Sequence, residues 1–190
     1  DYVCVKAPMF SFTRLPNADP VLGVEMASTG EVACFGNDIH DAFLKSMVAT
    51  GFKIPKSNVL VSIGSDSNRL YLLETMKLLE TMEFNIFATP TTSTFLDSHG
   101  IKNKKLSYGE DDENNVFQAI SNNDIELIIN IPRNDNDSKN ITNGFKIRRA
   151  SINANVPLIT NVKITSLLVR ALRYNKKNGF SYKSWNDYIN

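Results

Sequence analysis

Two apolar runs, Val59-Leu60-Val61-Ser62-Ile63 and Leu127-Ile128-Ile129-Asn130-Ile131, decide the fold of this 190-residue chain. Each run is short and nearly continuous in apolar residues, which is typical of a parallel strand covered on both faces. Three weaker strand candidates lie at 85–89, 104–107 and 156–160.

Helical patterns separate these strands. The apolar spacing predicts helices near 70–79, 95–96, 116–120, 147–154 and 164–172. Turn residues at 64–68 follow the first run, and Gly100 ends the second helix. Five strands alternating with helices require right-handed crossovers, so the sequence predicts an α/β fold with an open five-stranded parallel sheet.

The first third of the chain follows a different pattern. Residues 1–36 show no helical period and predict short strands broken at Pro8, Pro16 and Pro20. A helix follows over 39–47, capped by Asn37 or Asp38 and stopped at Gly51. With 52–57 as a linker, we expect two domains, 1–55 and 56–190. The chain starts without Met inside strand-like sequence, so we expect it to be a piece of a longer protein.

Composition excludes several classes of function. The net charge of +1 argues against a protein that coats nucleic acid, which needs a strongly basic face. No run approaches the roughly 18–20 apolar residues of a membrane span. Two cysteines are too few for a disulfide framework and predict reduced thiols.

The carboxyl ends of the predicted strands are where an open α/β sheet binds ligands. Hydroxyls and amides collect there, with almost no carboxylates, and Thr89-Pro90-Thr91-Thr92-Ser93 stands at a strand-to-helix junction that favours an anion. The same residue types also cap helices and form turns, so a structural role stays open for each of them. The strand-end set is Ser62, Gly64, Ser65, Thr89, Thr92, Ser107, Tyr108, Asn130, Thr160 and Asn161.

Catalytic patterns are scarce. His40 and His99 lack metal-ligand spacing, and we find no nucleophile–base triad or phosphate-binding glycine loop. The pair Arg148-Arg149 could add positive charge to a site, although such a pair on a helix is usually solvated surface.

Two stretches resemble the carbamoyl-phosphate synthetase large chain. The sequence Val21-Leu22-Gly23-Val24-Glu25-Met26-Ala27-Ser28-Thr29-Gly30-Glu31-Val32 looks like the end of its second ATP-grasp half, and 42–55 resembles the helix and linker that follow. The remainder is similar to its C-terminal methylglyoxal-synthase-like domain, with Asn130, Ile147-Arg148-Arg149 and 157–161 in order. The resemblance implies a Rossmann-like sheet preceded by the tail of an ATP-grasp domain.

This resemblance implies an allosteric, effector-binding domain without synthetase activity or cofactor of its own. The parent would be an ATP-dependent ligase that uses Mg or Mn and makes carbamoyl phosphate from bicarbonate, glutamine-derived ammonia and two ATP. The implied partners are the rest of the large chain and its glutaminase part, with no nucleic acid and no membrane. The chain looks most like the eukaryotic pyrimidine-pathway form, which implies a cytoplasmic location and UTP, UMP or phosphoribosyl pyrophosphate as effector.

The resemblance also assigns effector-binding residues. Four strand-end residues match the family pattern: Ser62, Thr89, Thr92 and Asn130. The other four are imperfect matches. Asn68 replaces a lysine of the bacterial relatives. The other three are compared with the N-acetylglutamate form, where Tyr108 takes an aromatic position, Arg133 stands where an asparagine is expected, and Asn143 fits with a shifted register. A cation at Arg133 suits a polyphosphate.

Four alternatives stay open. The first is the ammonia-dependent, mitochondrial synthetase, whose domain binds N-acetylglutamate. The second is methylglyoxal synthase, which needs a carboxylate base where this chain has Asn130. The third is the purine-pathway cyclohydrolase, which has the same fold. Neither this enzyme nor methylglyoxal synthase explains the first 55 residues. The fourth is a purely structural subunit interface.

Overall fold

The computed structural model describes residues 2–10, 12–15, 18–21, 30–109, 112–133 and 142–189. They form two compact units. The first takes in the described residues of Asp1–Ser11, Val24–Ile54 and Leu167–Asn190, and the second those of Phe12–Gly23 and Pro55–Ser166. The break between 54 and 55 lies one residue from the predicted domain boundary. The segment from 12 to 23 groups with the second unit, however, and the carboxyl-terminal segment from 167 groups with the first.

The helices and strands are as follows. The described strands are β1 (Val3–Met9), β2 (Gly30–Gly36), β3 (Asn58–Ile63), β4 (Asn85–Ala88), β5 (Lys104–Lys105), β6 (Leu127–Ile131) and β7 (Leu158–Ile159). The described helices are α1 (Ile39–Ala49), α2 (Asp66–Tyr71), α3 (Leu73–Thr81), α4 (Pro90–Ser98), α5 (Val116–Ser121), α6 (Asn143–Asn153), α7 (Val162–Asn178) and α8 (Trp185–Ile189). A single 3₁₀ turn covers Phe12–Arg14.

In the first unit, β1 and β2 pair antiparallel and α1 packs on them. The predicted break at Pro8 is wrong, because β1 runs through Pro8, and the sequence reading missed β2. A proline is tolerated in a two-stranded sheet, where each strand has one edge that needs no N–H donor. The predicted helix is confirmed as α1, which Asp38 caps and after which Gly51 takes a φ of 92°.

The second unit contains the predicted sheet. Its five strands are all parallel, in the order β5-β4-β3-β6-β7. Every residue of β6 is buried, and the register places Ser62 of β3 beside Asn130 of β6. The α/β fold and its parallel sheet are therefore confirmed, with the carboxyl ends of β3, β4 and β6 at one edge.

The turn after β3 is shorter than expected. Residues 64–68 were predicted as a turn, but α2 already begins at Asp66, because the Ser65 hydroxyl accepts the Asn68 N–H at 3.3 Å and caps the helix. None of the helices in the described ranges is long and apolar enough to span a bilayer.

A single carboxylate ties β6 to the start of β3. Glu126 Oε2 accepts the backbone N–H groups of Lys56, Ser57 and Asn58 at 2.7, 2.6 and 3.2 Å. Burial of this carboxyl raises its pKa, but the hydrogen bonds from the three N–H groups outweigh burial and hold the pKa below the ordinary value. Ionised Glu126 therefore stabilises the two central strands at their amino ends.

We predict that Glu126→Gln lowers the free energy of unfolding by about 1–3 kcal/mol at neutral pH. Because the folded-state pKa is lowered, the wild-type advantage is complete above the unfolded pKa of about 4.3 and is lost as pH falls through the folded pKa. Urea unfolding between neutral and acidic pH measures this. Glu113→Gln, at an exposed carboxylate, is the control. Parallel stability profiles for wild type and Glu126→Gln at all pH values would contradict the prediction.

Candidate effector site at the strand ends

Two threonines stand where β4 passes into α4. Thr89 is the N-cap residue, and Pro90 is at the first helical position, which suits its fixed φ. The Thr89 hydroxyl donates to Thr92 Oγ1 at 3.4 Å, and Thr92 Oγ1 also accepts the N–H of Ile63 at 3.0 Å. Both threonines are buried. The pair thus joins the start of α4 to the end of β3.

Within the described contacts, the first turn of α4 keeps its backbone N–H groups available. Thr89 makes no side-chain cap bond, because its hydroxyl turns to Thr92 instead. The free N–H groups of a helix start and the helix dipole together favour a negative ligand group. This junction places donor groups at the carboxyl edge of the sheet.

Asn130 is the polar residue at the end of β6, and it is 1% exposed. Its Oδ1 accepts Arg148 Nη1 at 2.8 Å, whereas its buried Nδ2 finds no partner within the described residues. A buried N–H group without a partner is costly, so such groups are rare in folded proteins. Nδ2 of Asn130 is therefore a buried donor that the described residues leave unpaired.

Arg148 corrects an interpretation made from the sequence. It is 4% exposed on α6 and is not solvated surface. Its Nε donates to Asp19 Oδ1 at 2.6 Å and its Nη2 donates to Asp19 Oδ2, which is a forked ion pair. Asp19 was not among the predicted site residues. No local pattern could reveal it, because 129 positions separate the partners.

The start of α6 lies against these groups. Thr142 caps the helix through the N–H of Phe145 at 3.2 Å. A Cβ placed on Gly144 would lie 3.2 Å from Arg148 Nη1 and 3.6 Å from Asn130 Oδ1, so the backbone approaches both side chains closely. Asn143, the first residue of α6, is exposed beside this contact.

The turn after β3 meets the end of β6. Arg133 Nε donates to the carbonyl oxygen of Gly64 at 2.6 Å, and the Gly64 N–H donates to Ile131 at 2.9 Å. A Cβ on Gly64 would lie 2.6 Å from the Arg133 nitrogen, so only glycine fits there. Arg133 itself is exposed, which leaves a cation at the mouth of the site.

The structure thus brings together six of the eight predicted residues. The group around the ends of β3, β4 and β6 comprises Ser62, Thr89, Thr92, Asn130, Arg133 and Asn143. Asn68 is half-buried in α2, where its N–H serves the Ser65 cap. Tyr108 packs against the apolar cluster that contains Leu106 and Val116. The described contacts join neither Asn68 nor Tyr108 to the group.

A surface pocket in the second unit borders this group at the first turn of α4. It measures about 460 Å³ and is lined by Asp66, Arg69, Pro90, Thr91, Thr94, Phe95, Ser98 and Lys105. Its lining includes Pro90 and Thr91 of the predicted junction but none of the eight residues assigned to effector binding. The described ranges also hold no cluster of three or more His, Cys, Asp or Glu side chains that could bind a metal ion.

Comparison with known proteins decides the family of this domain. Residues 71–160 match the family described as MGS-like domain. The chain carries an MGS-like domain. The predicted resemblance of the later part of the chain to a methylglyoxal-synthase-like domain is thereby confirmed, and the match falls inside the predicted second domain. The stretch 21–32, which also carried that resemblance, lies mostly outside the described residues.

Relatives match nearly the whole chain. It is 47% identical over 184 residues to "Multifunctional protein URA2" of Saccharomyces cerevisiae, covering 92% of this chain and 8% of the relative. It is 40% identical to the human mitochondrial "Carbamoyl-phosphate synthase [ammonia]", covering 93% of this chain and 12% of the relative. This chain therefore spans only about a tenth of the length of these relatives. A crystal structure of methylglyoxal synthase from Elizabethkingia anophelis matches 60% of this chain and 77% of its own, with 14% identity and a TM-score of 0.47.

We predict that Thr92→Val lowers the free energy of unfolding by about 1–3 kcal/mol, because the buried N–H of Ile63 loses its acceptor. Urea unfolding of the wild type and the variant measures the change. Thr94→Val makes the same substitution at an exposed position of the same helix, where we expect less than about 0.5 kcal/mol. Equal losses in the two variants would show that the Thr92 hydroxyl does not support β3.

Proposed function

We propose that the MGS-like domain binds an anionic effector at the ends of β3, β4 and β6 and thereby regulates a carbamoyl-phosphate synthase activity located elsewhere in the protein. The observation that carries this proposal is the buried Nδ2 of Asn130, a donor without a partner in the described chain. A domain that kept this group for stability alone would incur its desolvation cost with no return.

The chemistry around Asn130 favours a negative ligand. Thr89 and Thr92 contribute hydroxyls, α4 contributes the donors of its first turn, and Arg133 contributes a cation. The carboxylate seen at this edge, that of Asp19, is bound in the fork of Arg148. The described groups are therefore mostly donors, which is the requirement for binding phosphate or carboxylate oxygens.

A uridine nucleotide or phosphoribosyl pyrophosphate fits better than N-acetylglutamate. In the described contacts Arg133 donates only through Nε, so its two Nη groups can donate to a ligand. A guanidinium binds phosphate oxygens through two parallel hydrogen bonds. If one phosphate binds at the start of α4, a second phosphate of the same ligand can bind Arg133. We therefore propose UTP, UMP or phosphoribosyl pyrophosphate as effector and N-acetylglutamate as the competing candidate.

The proposal extends to the whole protein. The catalytic part would be a glutamine-dependent, ATP-using synthetase with Mg or Mn, located in the cytoplasm, and its remaining large-chain and glutaminase parts would be the partners of this domain. The similarity to a human carbamoyl-phosphate synthase supports the reaction class. The ATP-grasp assignment of residues 1–55 belongs to the same proposal.

Lyase chemistry of the methylglyoxal synthase type is the weaker alternative. It needs a carboxylate base at this edge, where β6 provides the amide of Asn130. The carboxylate of Asp19 is already engaged by two hydrogen bonds from the buried guanidinium of Arg148. We expect no phosphate release from dihydroxyacetone phosphate.

Thermal unfolding with and without ligand tests the effector proposal. UTP, UMP, phosphoribosyl pyrophosphate and N-acetylglutamate are compared at equal concentration. A ligand at about 100 times its dissociation constant adds roughly 2.7 kcal/mol, which corresponds to about 2–4 °C per kcal/mol for a chain of this size. We expect a uridine nucleotide or phosphoribosyl pyrophosphate to raise the Tm by several degrees.

The decisive variant is Asn130→Asp. It keeps an oxygen for Arg148 but replaces the Nδ2 donor by an acceptor, so we expect the ligand-induced Tm shift to disappear. Thr89→Ala should weaken the shift as well. Asn122→Asp, the same change at an exposed residue of the domain, is the control and should keep the shift. A shift with N-acetylglutamate alone would overturn the choice of effector, and a full shift in Asn130→Asp would overturn the site.

A further inference from the structure

We infer that Asp19 is a positioning residue for the effector site, acting through Arg148 on the amide of Asn130, and that it couples residues 18–21 to effector binding. This inference rests on the proposed function and names how the same site would be regulated. It comes from a continuous series of contacts that joins a segment near the start of the chain to the end of the central strand β6.

The contacts run through one guanidinium. Arg148 uses Nε and Nη2 for the carboxylate of Asp19 and Nη1 for Oδ1 of Asn130. A guanidinium is planar and its donors have fixed directions, so the orientation set by Asp19 also fixes the direction of Nη1. With Nη1 fixed, Oδ1 of Asn130 must face Arg148 and Nδ2 must face the opposite side.

The direction of Nδ2 is what a ligand detects. Asn130 is 1% exposed and its Nδ2 has no partner in the described chain, so a reversed amide would present an acceptor to an anion instead of a donor. Arg148, at 4% exposure, cannot turn to water for a replacement partner. Asp19, whose side chain is 39% exposed, is the member of the series that can leave.

Coupling follows from this arrangement because linkage is reciprocal. If the Asp19 contact raises effector affinity, the effector must stabilise the Asp19 contact by the same factor. Residues 18–21 precede β2 in the chain by about ten positions, so the segment continues into the other compact unit. Effector binding therefore acts on a segment that lies far from Arg148 in the chain.

A neighbouring arginine offers a matched control. Arg149 Nη1 donates to the carbonyl oxygens of Leu15 and Ala18 at 3.3 and 3.1 Å. It binds the same segment to the same helix, but its described hydrogen bonds do not include Asn130. Removing Arg149 weakens the attachment of Leu15 and Ala18 to α6 but leaves the hydrogen bonds of Arg148 in place. The variant therefore separates the effect of a loosened segment from the effect of a misoriented Asn130 amide.

The experiment measures dissociation constants for UTP and phosphoribosyl pyrophosphate by calorimetry on the full chain. We expect Asp19→Ala to weaken binding by about tenfold and Arg148→Lys by at least as much, since lysine cannot form the fork and the Asn130 bond together. The double variant should be no weaker than Arg148→Lys alone, because both changes break one series. Arg149→Ala should weaken binding less than threefold.

Hydrogen exchange supplies a readout that general destabilisation does not produce. Ligand should slow backbone amide exchange at 18, 19 and 21 in the wild type, and this ligand effect should vanish in Arg148→Lys. If the wild type binds but Asp19→Ala binds within twofold of it, or Arg149→Ala loses as much affinity as Asp19→Ala, the inference is overturned while the effector proposal stands. If the wild type binds neither ligand, the effector proposal itself fails, and this inference fails with it.

Discussion

The polar amide of Asn130 inside a fully buried strand is the constraint around which the site is arranged. Every other residue of β6 is apolar, and the strand is covered on both faces. An amide in such a place needs partners, since its desolvation costs more than a typical hydrogen bond returns. Arg148 satisfies the oxygen, and a buried guanidinium then requires a carboxylate of its own. Asp19 supplies that carboxylate.

The ends of the central strands are held by different means. At the amino end, the carboxylate of Glu126 gathers three backbone N–H groups and joins β6 to the segment before β3. At the carboxyl end, Thr92 accepts the N–H of Ile63 and the Gly64 turn meets Arg133. The amino end is satisfied within the chain, whereas at the carboxyl end the described residues leave donors without a partner. This asymmetry agrees with the rule that open parallel sheets bind ligands beyond their carboxyl ends.

The sequence predicted the parallel sheet because its strands are buried on both faces and therefore appear as continuous apolar runs. It predicted Thr89, Thr92 and Asn130 as neighbours because parallel strands align their ends at one edge. The strand β2 escaped prediction, since its exposure alternates weakly and glycines bound it at both ends. The start of α2 was misplaced because Ser65, Asp66 and Asn68 form turns and cap helices equally well.

The pairing of Arg148 with Asp19 could not be predicted, for a different reason. A basic pair on an amphipathic helix is solvated in most proteins, and burial of one member depends on a carboxylate that a distant segment supplies. Sequence periodicity reports which face of a helix is apolar, but it carries no information about pairs so far apart in the chain.

A buried ion pair is weak evidence for stability, because removing two charges from water costs about as much as their attraction returns. Hydrophobic residues of similar volume at 19 and 148 would stabilise the fold as well, but they would leave the Asn130 amide free to reverse. The ion pair holds the Asn130 amide in a single orientation. That orientation matters only if a ligand must accept a hydrogen bond from Nδ2. The ion pair is therefore better explained by ligand recognition than by folding, and since one partner is more than one-third exposed, the same pair can respond to the state of the segment that carries it.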